Sequence, residues 1–254
     1  MRILLTNDDG INATGLKVLE KIARLFSDDI WTVAPTEEQS GAGHSLTLAR
    51  PVRLRKVGDR RYCVTGTPTD AVMMAVAHLM KDEPPDLVLS GVNRGANLGE
   101  DVTYSGTVSA AMEGAMAGFP AIALSQASAR EAMGDSVPFA AAEAWAEQVL
   151  RPIVEGGMAP RTLVNVNFPA LAPEAVKGIR VARQGRHDYG RLRIVRRTDP
   201  RGFDYFWFGL APMIETPGHM TDLEVVADGY VAVTPLHFDL THGESLDRLA
   251  ERYG

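Results

Sequence analysis

Strand-length hydrophobic runs and apolar positions at helical spacing alternate along the first 125 residues. Residues 1–6 read as a short buried strand that stops at Asn7-Asp8-Asp9-Gly10. Leu16, Leu19, Ile22, Ala23 and Phe26 then recur at helical spacing and predict a helix over 15–26. Residues 30–34 give a second strand, halted by Pro35, while residues 36–47 are polar, small and aperiodic and are expected to form a long loop. Residues 52–57 and 62–65 flank Gly58-Asp59 as a hairpin. The pattern continues with a helix from Pro68 to about Met80, a strand over 86–90, a Gly- and Asn-rich loop over 91–104, a helix over 106–117 and a strand over 120–125. Such alternation predicts an α/β fold with a mostly parallel sheet flanked by helices.

The second half is less regular. A helix is expected over 140–154 and a strand over 162–167, followed by a β-like stretch over 179–210 with charged interruptions. Arg191, Arg193, Arg196, Arg197 and Arg201 lie there with Gly190 and Gly202. That combination suits a long antiparallel hairpin projecting from the domain, solvated or touching another subunit rather than holding nucleic acid. A strand over 229–235 and a helix over 245–252 close the chain. Residues 1–254 are read as one domain, with no internal repeat.

Composition narrows the class. The chain has 254 residues, 45% of them hydrophobic, and 26 basic against 32 acidic side chains for a net charge of -6. This is long and apolar enough for a substantial core, which excludes disordered and collagen-like readings. The acidic balance lacks the clustered positive charge of a general nucleic-acid binder. A single cysteine, Cys63, cannot form an intramolecular disulfide, and the opening MRILLTNDDG does not resemble a secretion signal, so a cytoplasmic protein is expected. No run approaches the length of a membrane span.

Ligands of open α/β sheets bind beyond the carboxyl ends of the strands, and three polar clusters fall there. Asp8 and Asp9 follow the first strand. Two carboxylates held close repel, and a hard divalent cation is the usual compensator; alternatively, one Asp caps the next helix and the other is solvated. The second cluster, Gln39 to Ser45, offers hydroxyl and backbone groups with little bulk. The third places Asn93 and Asn97 among glycines and leads into Tyr104-Ser105-Gly106-Thr107, which opens a helix. Exposed N–H groups at a helix N-terminus, with hydroxyls beside them, make an anion site, although Ser105 or Thr107 can equally serve as an N-cap. The glycine spacing matches neither a Walker A loop nor a dinucleotide fingerprint. Carboxylates and an anion-binding helix at one sheet edge suggest metal-assisted phosphoryl chemistry.

These segments resemble the SurE family of metal-dependent nucleoside monophosphate phosphatases. The likeness is carried by Ile3 to Gly10, Ala34-Pro35 with Gln39-Ser40-Gly41, Gly66-Thr67-Pro68-Thr69-Asp70, Pro85 to Gly99, and Tyr104 to Ala111, with later echoes at Asn165-Val166-Asn167-Phe168-Pro169 and Thr234-Pro235-Leu236. The resemblance implies a Rossmann-like fold whose last part, about 178–254, includes a hairpin and tail used in forming a homodimer or homotetramer. It implies hydrolysis of 5′-nucleotides, with 3′-nucleotides and short polyphosphate as further substrates. One divalent cation, Mg²⁺ or Mn²⁺, would be held by Asp8, Asp9, Ser40 and Asn93, with Asp8 and Asp9 as the catalytic pair. Asn97, Ser105, Gly106 and Thr107 would contact the substrate phosphate. Ala71 and the Asn12-Ala13-Thr14-Gly15 stretch depart from the family's commoner residues without touching this set. Asp70 is expected to cap a helix or orient a loop.

Overall fold

The computed structural model describes residues 1–128, 139–186, 192–210 and 218–254. In chain order its elements are β1 (Arg2–Thr6), α1 (Thr14–Ala23), β2 (Asp29–Pro35), β3 (Leu54–Gly58), β4 (Arg61–Val64), α2 (Pro68–Met74), β5 (Leu87–Arg94), α3 (Gly106–Met116) and β6 (Ala121–Gln126). Then come α4 (Ala140–Gly156), β7 (Thr162–Phe168), β8 (Ile179–Val181), β9 (Leu192–Thr198), β10 (Asp204–Leu210), α5 (Asp222–Ala227), β11 (Val231–His237) and α6 (Gly243–Tyr253).

Among the described residues, nine strands form one sheet in the order β3-β4-β2-β1-β5-β6-β7-β11-β8. Pairing is parallel from β4 through β7, and antiparallel at β3–β4 and β7–β11. Alternation along the strands divides the core in two. Ile3 and Leu5 face one side with Leu16, Leu19 and Ile22 of α1 and Leu150 of α4. Leu4 and Val88 face the other with Val72 of α2 and Val108 of α3. The mostly parallel, helix-flanked sheet thus has the expected architecture, and β9 and β10 pair antiparallel as a separate two-stranded hairpin.

Three expectations change. Residues 91–94, read as loop, continue β5: after a shift of register beyond Ser90, Asn93 pairs with Ser125 and Arg94 with Gln126. The glycine there hides the strand, because its pairing with β6 is a long-range choice. Residues 179–181 belong to the main sheet, parallel to β11, and not to the projecting hairpin. The sequence reading also passed over α5, which opens with a capping box from Thr221 to Glu224, a signal present in the residues themselves. Arg191 and Gly190 of the arginine-rich stretch lie outside the described residues. Among the described residues no helix is long and apolar enough to cross a membrane.

Candidate active site

The adjacent carboxylates sit where β1 gives way to a turn. Asn7 closes that turn on itself: its Nδ2 donates to the Gly10 carbonyl at 3.0 Å, and the Gly10 N–H donates to its Oδ1 at 3.2 Å. Gly10 adopts φ +99°, a conformation that suits glycine. Neither Asp caps α1, whose N-cap is Ala13 without a side-chain hydrogen bond. That disposes of the capping alternative for this pair.

Both carboxylates instead turn toward the strand end and helix beside them. Asp8 is buried and accepts a hydrogen bond from the Thr107 hydroxyl of α3. Asp9, half-buried, accepts a long 3.4 Å bond from the Arg94 N–H at the end of β5. Burial pushes the Asp8 carboxyl above its ordinary range, against the opposing hydrogen bond from Thr107. Asp9 is pushed up to about 6, by burial first and then by the charge of Asp8, with Arg94 opposing. Glu38 adds negative charge to both. Two crowded carboxylates whose ionised forms are penalised are what a cation relieves.

Donors flank them on either side. The Gln39 N–H donates to the Asp8 carbonyl at 2.7 Å, which brings the Ser40 loop against the turn. Ser40 is exposed and donates to Glu38 Oε1 at 2.8 Å, leaving its oxygen lone pairs free to coordinate. Asn93 spends its amide nitrogen on the Gly95 carbonyl at 2.9 Å, so its oxygen is the end available to a cation. No group of three or more His, Cys, Asp or Glu placed to hold a metal occurs among the described residues. A set of two carboxylates, an alcohol and an amide supplies oxygen only, which fits a hard divalent cation and not a soft one.

The start of α3 completes the edge. Ser105 is its N-cap and accepts from the Val108 N–H at 3.1 Å, whereas Thr107 uses its hydroxyl on Asp8. The N-cap role is therefore filled by Ser105, and the N–H groups of Gly106 and Thr107 sit in the first turn, where a helix leaves donors for an anion. A Cβ on Gly106 would stand 2.7 Å from Asp8 Cβ and 3.1 Å from Pro68 Cγ. Glycine is what lets the helix end seat on the carboxylate.

Asp70 proves to do both structural jobs. It forms a capping box with Thr67 at the start of α2 and accepts from the Thr47 N–H at 3.1 Å. Thr67 donates to the Ser45 carbonyl at 2.7 Å, the Gly43 N–H donates to the Tyr104 carbonyl at 3.1 Å, and His44 Nε2 lies 2.9 Å from Glu113 Oε2. The loop carrying Ser40 is thus pinned along its length. Tyr104 is 60% exposed.

Asn97 has its side chain nine-tenths buried, with Nδ2 donating to Ser125 Oγ at 2.8 Å. Its surroundings were not foreseen: Asn165 and Asn167 of β7 bond its backbone, and Asp222 accepts from the Gly99 N–H at 2.9 Å. The sequence did hold a signal, since Asn165 and Asn167 are polar residues at period two inside a strand that after Thr162 is otherwise built of Leu, Val and Phe.

Comparison with known proteins gives one consistent result. A family model described as Survival protein SurE matches residues 3–191. A protein named 5′-nucleotidase SurE from Rhizorhabdus wittichii is 67% identical over 246 residues, 97% of each chain. One of the same name from Erythrobacter litoralis is 57% identical over 253 residues, 100% of each chain. The crystal structure of the SurE protein from Aquifex aeolicus superposes with a TM-score of 0.84 at 37% identity, covering 100% of both chains.

Proposed function

The chain belongs to the survival protein SurE family, and on that premise we propose that it is a 5′-nucleotidase that hydrolyses nucleoside monophosphates with the help of one divalent cation, Mg²⁺ or Mn²⁺. The observation that carries this reading is the adjacent Asp8–Asp9 pair, whose buried member Asp8 lies against the first turn of α3. A cation site and a phosphate site there share one edge. The same chemistry extends to 3′-nucleotides and short polyphosphate, whose terminal phosphates present the same oxygens.

Asp8, Asp9, Ser40 and Asn93 would hold the cation. When bound, it supplies Lewis-acid stabilisation of phosphate oxygens and an activated water nucleophile. Thr107 holds Asp8 in one orientation through its hydroxyl while offering its own N–H, with that of Gly106, to the phosphate. Ser105 fixes the helix end, and Asn97 presents the second N–H of its amide. These preset donors stabilise charge that builds on the phosphoryl oxygens, where removal of one such group characteristically costs about 10²–10³-fold in rate. Asp8 and Asp9 serve as ligands first, since a carboxylate engaged with a cation is a poor proton acceptor.

Oligomerisation is the second part of the proposal. Phe203, Trp207 and Phe208 of the β9–β10 hairpin are 70%, 64% and 76% exposed, and α6 buries no residue. Large apolar side chains exposed together on one hairpin support a contact with another chain. A homodimer or homotetramer of a cytoplasmic enzyme satisfies it.

The test is phosphate release from a panel of nucleoside monophosphates by metal-stripped protein, before and after Mg²⁺ or Mn²⁺ is restored. Release only with metal, strongest on 5′-monophosphates, is expected. Equal release without metal, or none under any metal, overturns the reading.

A further inference from the structure

The face of the sheet that packs on α2 and α3 carries aliphatic side chains through most of its area, including Leu163 of β7. The next two residues on that face of β7 are Asn165 and Asn167, both fully buried. Buried amides are costly unless bonded, so their partners indicate what they are for. Asn167 engages both ends of one peptide unit's residue: its Oδ1 accepts from the Asn97 N–H at 2.8 Å, and its Nδ2 donates to the Asn97 carbonyl at 3.1 Å. Asn165 Nδ2 donates to the same carbonyl at 2.8 Å. The Asn97 side chain is held in turn by Ser125 at 2.8 Å.

Sheet register shows where this clamp leads. Ser125 pairs with Asn167 on one side and with Asn93 on the other. A single cross-strand row therefore runs from the clamp to the proposed cation ligand, and the clamped residue is the proposed phosphate contact four residues further on.

We propose that Asn167, assisted by Asn165, is a positioning residue: the pair fixes the Asn97 backbone from β7 and so sets the loop after Asn93 in register with the phosphate. The inference rests on the nucleotidase reading of that edge. Neither asparagine touches substrate; each acts through Asn97. Displacement of a positioned contact by about 1 Å can cost about 10²-fold in rate.

The experiment uses the full chain with saturating Mn²⁺ and compares Asn167→Leu, Asn165→Leu and Thr234→Val. Thr234 is a buried polar residue paired with Asn165 on β11, and it makes no bond to Asn97, so its variant reports the effect of changing this face alone. Measured are kcat and KM for a nucleoside monophosphate, Mn²⁺ affinity by titration calorimetry, and amide exchange at residues 95–99. Asn167→Leu is expected to lower kcat by about 10²-fold, to leave Mn²⁺ affinity near wild type, and to expose the Asn97 amide to exchange. Asn165→Leu should lower kcat less, because Asn167 still holds Asn97, and Thr234→Val should not lower it. A wild-type kcat in Asn167→Leu, or an equal fall in Thr234→Val, overturns the proposal. Should Asn167→Leu fail to fold, an undiminished kcat in Asn165→Leu overturns it. Wild-type protein that releases no phosphate with Mn²⁺ marks failure of the nucleotidase reading instead, and takes this inference down with it.

Discussion

The carboxyl edge of the sheet and the β9–β10 hairpin invert the usual distribution of side chains in opposite ways. At the edge, polar groups are buried: Asn7, Asp8, Thr107, Asn165 and Asn167 lie among the core strands and helices. On the hairpin, apolar groups are exposed: Phe203, Phe206, Trp207 and Phe208 stand in solvent. Each inversion is unfavourable in the isolated chain, for different reasons. The edge concentrates negative charge that a cation would balance, whereas the hairpin holds hydrocarbon that another protein surface would cover. The difference teaches that the two regions call for partners of different size and chemistry, and that they can be perturbed separately.

The comparison is broken most sharply at the edge. Asp8→Asn or Asp9→Asn is expected to reduce turnover by 10²-fold or more, on the order of removing a principal stabilising group, with the fold kept. The metal-free variants should melt no lower than wild type, because a penalised carboxylate has been neutralised. Phosphate release and thermal unfolding measured together decide this, and near-normal turnover would remove the pair from the mechanism. Thr107→Val tests the next link. Loss of a buried hydrogen bond to a charged group costs about 1.5–3 kcal/mol, which should appear as weaker Mn²⁺ binding and slower release while Ser105 still caps α3.

Charging the hairpin should do the reverse. Trp207→Glu with Phe208→Glu is expected to reduce the assembled mass seen by light scattering without changing Asp8 or Asp9. An unchanged mass would mean that the exposed aromatics are not the contact.

The smallest effect concerns Asp70. Burial alone would raise its carboxyl, but hydrogen bonds from Thr47 and Thr67 outweigh burial and hold it below the ordinary range. A carboxylate depressed in the folded state contributes stability above its unfolded pKa of about 3.9 and loses it as pH falls through the lower folded value. Asp70→Asn should therefore cost about 1 kcal/mol at pH 7, the magnitude of a lost cap. The deficit should shrink as both proteins are taken well below pH 4, which urea unfolding at the two pH values measures.

Much of this was legible in the residues. The order of strands and helices through β6 followed from apolar spacing, and the antiparallel hairpin followed from turn residues between β-like runs. The crowding of Asp8 and Asp9 at the end of β1 was legible because they are adjacent in the chain and follow a strand. Other features were hidden by their dependence on distant partners. The end of β5 looked like loop because its glycines suppress strand propensity, and only β6 makes it a strand. Ser105 and Thr107 carry interchangeable hydroxyls in sequence, yet one caps the helix and the other binds a carboxylate.

By itself, then, the sequence determined the α/β alternation, the oxygen-rich donor types, and the family to which the chain belongs, since all three are written in local spacing and residue identity. The tertiary structure alone decided which groups meet. Parallel pairing sets β1 beside β5, although 84 residues separate Arg2 from Asp86 where the Arg2 N–H bonds that carboxylate. Thr107 reaches Asp8 across 99 residues, and β7 delivers Asn167 to Asn97 across 70. No local propensity encodes such meetings, because they follow from the order of strands in the sheet, and that order is fixed by burial of both faces at once.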